Sequence, residues 1–376
     1  MNYDVIVIGA GSMGMAAGYF LSKSGKNTLL LDSFQPPHNK GSHHGETRII
    51  RYAYGEGEEY VPFVLKAKEL WKELEQTTGK HLFLQTGVLN VGHKDSAFIQ
   101  NIISSSKTYS LPIEVMNATQ VQDKWSGFSM FEHDLACFEP TSGVIKCEES
   151  IKAYQELAES HGATIQTNSR VKSISILNDK VTIKTDDQTY NADALVISAG
   201  AWSGELLSML ELDLPLAPVR KTFAWFDANK DIYHSDQFPA YAFDTPNGMY
   251  YGFPSIDGAG IKVGRHDGGE QINPNKPLVG FGEVAADEDD LAQFLSAYLP
   301  EVGQLKYGRT CMYTLTPDER FIIDRHPNYP NVAIASGFSG HGFKFSSAVG
   351  QALSNLIVSG KNDIDLSPFS IKRFSK

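Results

Sequence analysis

The residues with the clearest chemical meaning come first in the chain. Gly9, Gly11 and Gly14 stand at G-x-G-x-x-G spacing directly after the apolar run DVIVI (4–8), and Asp32 closes the next apolar run, Thr28 to Leu31. Gly9 permits a tight bend, Gly11 lets backbone approach a pyrophosphate, and Gly14 lets the following helix pack closely on the strand. That helix, running through MAAGYFLSKSG to Gly25, offers free N–H groups and a partial positive charge at its start. An acid at Asp32 accepts hydrogen bonds from ribose hydroxyls and disfavours a 2′-phosphate. A glycine triplet alone reads equally as a flexible turn. Strand, triplet, helix, strand and acid in that order predict dinucleotide binding, with FAD or NAD preferred to NADP.

Other reactive side chains are scattered. Arg48 and Arg51 lie three apart in GSHHGETRIIRYAY (41–54), so on a helix they would share a face. The planar fork of arginine matches the two oxygens of a carboxylate. The competing reading is a solvated basic face paired with Glu56, Glu58 and Glu59. His43 and His44 have no further ligand at metal spacing, so no metal site is expected. Lys262 interrupts the apolar alternation of GIKVG, which places its ammonium at a wet pocket, in a charge-stabilising role, or on a surface edge strand. SGFSGHGFKFSSAVG (336–350) is a glycine-rich loop entering the helix SSAVGQALSNLIV, whose N-terminus can stabilise negative charge. An ordinary turn before a packed helix is the alternative. Cys311, in GRTCMYTLTPDERFIID (308–324), is one of only three cysteines and by itself reads as a small buried filler. Tyr251, Tyr313 and His266 have equally ordinary structural readings.

The elements that must position these residues imply about two domains in 376 residues. Hydrophobic residues make up 41% and charged residues 20%, as in a soluble globular protein, and no apolar run approaches a membrane span. The net charge of −11 argues against a nucleic-acid surface. A start without a basic segment, and cysteines without paired spacing, lead to the expectation of a cytoplasmic protein. The nucleotide unit is split. NADALVISAG (191–200) supplies a late buried strand, and the runs from Ala163, Val171 and Val181 alternate like a β-meander. A nucleotide domain divided in this way, with its fingerprint at the start, favours FAD over NAD by analogy of fold.

Six ordered motifs make the chain resemble the monomeric sarcosine oxidase and N-methyltryptophan oxidase group, FAD-dependent amine oxidases. They are GAGSMGMAAGY (9–19), PPHNKGSHHGETRIIRYAYGEGEEYVP (36–62), PNGMYYGFPS (246–255), IKVGRH (261–266), TCMYTLTPDERFIID (310–324) and SGFSGHGFKFSSAVG (336–350). The resemblance implies that Arg51 and Lys344 hold a substrate carboxylate, that His266 and Tyr251 line the substrate side, and that Tyr313 lies near the amine. It sets His44 and Arg48 against the flavin ring and gives Lys262 the task of helping O2 accept electrons. Gly9, Gly11, Gly14, Asp32, Val171 and Gly340 would contact FAD, and Cys311 would carry it covalently through the 8α-methyl.

The implied fold is α/β. A Rossmann-like FAD domain (1–80, 140–212 and 312–376) is joined to a substrate domain (81–139 and 213–311) built on a large antiparallel sheet. DEDDLAQFLSAYLP (287–300) is expected as a solvated amphipathic helix. The implied reaction is oxidative demethylation of an N-methyl amino acid by a monomer, with O2 and water giving formaldehyde and hydrogen peroxide and no membrane or nucleic-acid partner. Sarcosine and N-methyltryptophan both remain open as substrates. Ala242 stands where sarcosine oxidases carry a pocket methionine, and Tyr52 and Arg265 also depart from the usual residues. The rival readings are an NAD-dependent dehydrogenase, an oxidase of another secondary amine resembling glycine oxidase, and a flavoprotein subunit without oxidase activity.

Overall fold

In the computed structural model, which describes residues 2–374, DVIVI lies within the strand Asn2–Ile8, and Val5 to Ile8 are buried. A strand covered on both faces belongs inside a parallel sheet. Asn2–Ile8 pairs in parallel with Thr28–Leu31 on one side and Thr189–Ile197 on the other. Thr164–Gln166 and Val332–Ser336 extend this parallel order in the two directions. Ile322–Arg325 adds an antiparallel edge. Val171–Leu177 and Lys180–Thr185 fold as a hairpin onto the start of Thr189–Ile197, completing eight strands. Two of the three expected meander runs are therefore found. The run at 163–165 belongs to the opposite edge, because the preceding helix Cys147–Ser160 acts as a crossover that returns the chain parallel to Thr28–Leu31.

The fingerprint helix Ser12–Lys23 is almost wholly buried between this sheet and the C-terminal helix Ser346–Val358. Small residues make that possible. A Cβ on Gly14 would stand 1.8 Å from the Gly9 carbonyl oxygen, and one on Gly350 would stand 2.5 Å from the Ala16 Cβ.

A nine-stranded sheet forms the second layer. Its pairings are antiparallel except for Ala240–Thr245 beside Val88–His93. The helix Ala286–Tyr298 is amphipathic, as expected, but it is not merely solvated. Leu291, Phe294, Leu295 and Tyr298 pack into the aromatic core of this sheet, and buried Asp287 receives Arg220 at 2.6 Å. No helix among the described residues is long and apolar enough to cross a membrane.

The segment TRII is a strand, Thr47–Ile50, in a small sheet with Gly143–Lys146 and Phe83–Leu84. This overturns the idea of a helical face carrying Arg48 and Arg51. Two isoleucines and a threonine favour extended backbone, and no helical i,i+3 geometry joins the arginines.

The close helix packing gives the first prediction. Gly350→Ala should cost about 1–3 kcal/mol, because the added methyl meets backbone atoms of Ala16 and Ala17 that cannot move independently. Urea unfolding of wild type and variant measures it, and equal midpoints would contradict the close approach.

Candidate active site

A cavity of about 290 Å³ runs between the two layers from the fingerprint to the glycine-rich loop. Gly9, Gly11, Asp32, Val171 and Gly340 all line it. Gly9 has φ +92°, and a Cβ there would come within 2.6 Å of the Ser198 carbonyl oxygen, so only glycine leaves the turn open. The helix Ser12–Lys23 has no side-chain cap, which leaves its first N–H groups available to phosphate. Gly14 does not line the cavity but lets that helix approach the turn. Asp32 accepts the Ala10 and Phe34 N–H groups, both at 2.8 Å, and lies 3.3 Å from His38 Nε2. Its carboxylate is thus fixed at the end of the second parallel strand. These residues fit a dinucleotide.

A smaller cavity of about 60 Å³ shares Arg48, Tyr313, Gly340 and Phe343 with the larger one. Arg51, Lys344, His266 and Tyr251 line it too, together with Ala242 and Met249. Residues from four distant segments therefore converge at one end of the long cavity. Arg51 donates from Nη2 to Glu56 Oε1 at 2.5 Å and from Nη1 to Asn90 Oδ1 at 3.3 Å. The expected pairing with Glu56 is present, but as a buried ion pair. Lys344 donates to Tyr54 Oη at 3.2 Å and to the His341 carbonyl at 3.0 Å. Tyr54 Oη also lies 2.8 Å from His341 Nδ1.

Burial sets the charges here. It pushes Lys344 down to about 7, assisted by Arg51 and opposed by Glu56. His266 is driven down to about 4 and His341 to about 3, both first by burial, so both are neutral at pH 7. Burial alone would raise Glu56, but Arg51, His341 and Lys344 together hold it at about 2. Tyr313 is pushed well above the ordinary tyrosine range by burial and by Tyr251.

Besides Gly14, three expected site residues line neither cavity. Lys262 lines neither cavity. It is 2% exposed and donates to the carbonyls of Gly45 and Thr47 and to Thr47 Oγ1. Phe223, Trp225 and Phe253 surround its ammonium, and burial lowers it to about 7. This burial excludes the reading of Lys262 as a surface lysine on an edge strand. His44 is also buried and off the cavity wall; burial and Arg48 lower it to about 3, opposed by a hydrogen bond with the Thr310 backbone. Its neighbour His43 lines the larger cavity instead. Cys311 is 2% exposed beneath the wall formed by Met312 and Tyr313. Burial raises its thiol pKa, opposed by Arg48, Lys221 and Lys262. Arg48 donates to the carbonyls of Ser42, His44 and Thr47 and so ties down the loop that carries both histidines.

Glu56, Asn90, Tyr54 and His341 were not singled out from sequence as site residues. Tyr54 and His341 fall inside the quoted motifs, and Glu56 was visible as a carboxylate five residues from Arg51. Asn90 carried no signal, since it reads as one more position in an apolar strand. Among the described residues no group of three or more His, Cys, Asp or Glu is placed to hold a metal.

The Glu56 carboxyl gives a stability prediction. Its pKa falls from the usual 4.5 to about 2, so its contribution is present above pH 4.5 and is lost as pH falls toward 2. Glu56→Gln should lower stability at neutral pH by leaving Arg51 unpaired, and should flatten the acid limb in that window. Denaturant midpoints across pH measure both effects; an unchanged acid limb would count against the buried pair.

Comparison with known proteins agrees with this geometry. The FAD dependent oxidoreductase (DAO) family model matches residues 4–356. A monomeric sarcosine oxidase from Bacillus sp. (strain NS-129) is 51% identical over 375 residues, covering 99% of this chain and 97% of the relative. An N-methyl-L-tryptophan oxidase from Yersinia pestis (strain Pestoides F) is 44% identical, with complete coverage of both chains. Among solved structures, NikD, described as an unusual amino acid oxidase essential for nikkomycin biosynthesis, superposes with a TM-score of 0.87 at 22% identity, covering 98% of this chain and 97% of that one. L-proline dehydrogenase from P. horikoshii gives the same score and identity, with 99% and 98% covered. The two structural matches speak to the fold alone. The family match sets aside the NAD-dependent reading and names FAD as the cofactor. From fingerprint to C-terminal helix, this chain belongs to the FAD-dependent oxidoreductase family.

Proposed function

We propose that the enzyme oxidatively demethylates a small N-methyl amino acid, acting as a monomer with O2 and water and releasing the amino acid, formaldehyde and hydrogen peroxide. The observation that carries this reading is the smaller cavity, where two buried cations, Arg51 and Lys344, converge around a single carboxylate beside the cofactor-sized cavity. A substrate carboxylate can replace Glu56 on the planar fork of Arg51, with Lys344 as a second charge.

So cationic a pocket disfavours an ammonium, which makes the neutral amine the bound form. That is also the form whose nitrogen lone pair is free. His266, held neutral, and the hydroxyls of Tyr251 and Tyr313 orient the amine without adding charge. When bound in the larger cavity, FAD would supply the redox chemistry of the C–H oxidation, with O2 as the final electron acceptor. Gly9, Gly11, Gly14, Asp32, Val171 and Gly340 hold that cofactor. His44 and Arg48 support its ring end, and the charge of Lys262, beneath the same loop, stabilises negative charge developing on O2. Cys311 would carry the cofactor by a thioether at its 8α-methyl, formed with loss of the thiol proton and a methyl hydrogen and with O2 as the final two-electron acceptor; its place one residue before the cavity-lining Met312 supports this.

Substrate size follows from the cavity. About 60 Å³ admits on the order of four to six water-sized groups, which suits sarcosine. A bulkier N-methyl amino acid is the second reading, favoured by Ala242, whose methyl leaves that wall open.

A peroxide assay over a panel from sarcosine to N-methyl-L-tryptophan tests both. Sarcosine should give the higher kcat/KM, and Ala242→Leu should depress the larger substrates more than sarcosine. No peroxide from any N-methyl amino acid would overturn the proposal. The tether is tested separately: acid precipitation should leave the yellow colour in the pellet, and Cys311→Ser should release it. Flavin that washes free of the unmodified protein would remove the tether and leave the rest standing.

A further inference from the structure

The two ends of the larger cavity can be told apart. One end merges with the small cavity through Arg48, Tyr313 and Gly340. The other lies beyond Asp32, whose position after the second strand marks the ribose, so this end takes the adenosine half of FAD. Arg170, Trp202 and Glu205 line that end, with the Phe34 ring 5.9 Å from that of Trp202. Arg170 and Glu205 reach solvent, with side chains 45% and 39% exposed, so this is a mouth.

A residue of the opposite layer bonds to three of the residues that line this mouth. Asn275 belongs to the segment that follows the short strand Glu270–Gln271 of the nine-stranded sheet. Its Oδ1 accepts from Arg170 Nη2 at 2.9 Å and from Trp202 Nε1 at 3.1 Å, while its Nδ2 donates to Glu205 Oε2 at 2.9 Å. Arg170 also donates to Glu205 at 3.1 Å, so four side chains form one closed network. A carboxamide is suited to this position because it accepts from the two donors and donates to the acid at once. The last bond tying the segment to the sheet is Ile272 N–H to the Pro218 carbonyl at 2.9 Å; beyond it the tip is otherwise held by local turn contacts, Asn275 N–H to Asn273 Oδ1 and Lys276 N–H to the Asn273 carbonyl.

We infer that residues 273–277 are a clasp over the adenosine end of the FAD site, with Asn275 as its latch onto Arg170, Trp202 and Glu205. The clasp retains the nucleotide and must open for it to enter or leave. The inference rests on the cofactor and the dinucleotide geometry, and it is independent of which amine is oxidised.

The test uses protein carrying Cys311→Ser, so that any covalent link is absent, and follows release of FAD by recovery of its fluorescence. Asn275→Ala should speed FAD release on the order of tenfold, because three hydrogen bonds are lost. FMN, which lacks the adenosine half, should leave at the same rate with or without Asn275. Asn275→Asp keeps the size and both acceptor contacts but loses the donation to Glu205 and faces its charge, so it should speed FAD release several-fold; it serves as the second variant if Asn275→Ala folds poorly. Unchanged FAD release in the variants would overturn the clasp. Equal acceleration of FAD and FMN would also overturn it, by showing a general loosening of the two layers.

Discussion

Positive charge buried between two sheets is the constraint on which the rest of this molecule depends. Arg48, Arg51, Lys262 and Lys344 lie in or beside the cavities, and among the described residues Glu56 is the one acid that lines the small cavity. Cations taken out of water need carbonyls, hydroxyls or counter-ions. The surrounding architecture supplies them: loop carbonyls for Arg48 and Lys262, the Tyr54–His341 pair for Lys344, and Glu56 with Asn90 for Arg51. Their incomplete compensation is chemically useful. A pocket that depresses lysine to about 7 and keeps histidine neutral is prepared for an anion and hostile to an ammonium.

The two layers divide the labour. The parallel sheet brings strand ends and a helix N-terminus to one line, and glycines let three backbones meet closely enough for a dinucleotide to lie along it. The antiparallel sheet contributes broad, aromatic-backed strands, so that Tyr251, Lys262 and Cys311 are held on rigid neighbours. Its one parallel pairing places Asn90 beside Ala242, which sets an Arg51 partner next to a wall of the small cavity. Both cavities lie at the seam, where residues of the two layers meet.

Much of the nucleotide side was legible in the sequence, because its signals are local. DVIVI, the glycine triplet and Asp32 act on backbone conformation within a few residues, and each appears where it was read. The small cavity was harder. Glu56 looked like a surface partner for Arg51, since nothing in RYAYGEGEE shows that the segment folds inward. For Lys262 the sequence leaves a wet pocket, a charge-stabilising role and a surface position open, because the aromatic rings that enclose it come from strands many residues away in sequence. The helical reading of Arg48 and Arg51 failed because TRII is extended by pairing with Gly143–Lys146, a partner that spacing cannot name.

By itself, then, the sequence determined the dinucleotide turn, the split nucleotide sheet and the family, and it offered candidate reactive residues without Glu56, Asn90, Tyr54 or His341. These follow from short-range backbone demands and from ordered motifs. Tertiary structure alone decided which of those residues share a cavity, which lie one layer behind it, and which charges are paired. Burial and long-range neighbours set ionisation and access, and neither is a property of residues close in sequence. Asn275 is the plainest case: an unremarked residue between two prolines becomes a contact between the two layers only when Arg170, Trp202 and Glu205 are folded beneath it.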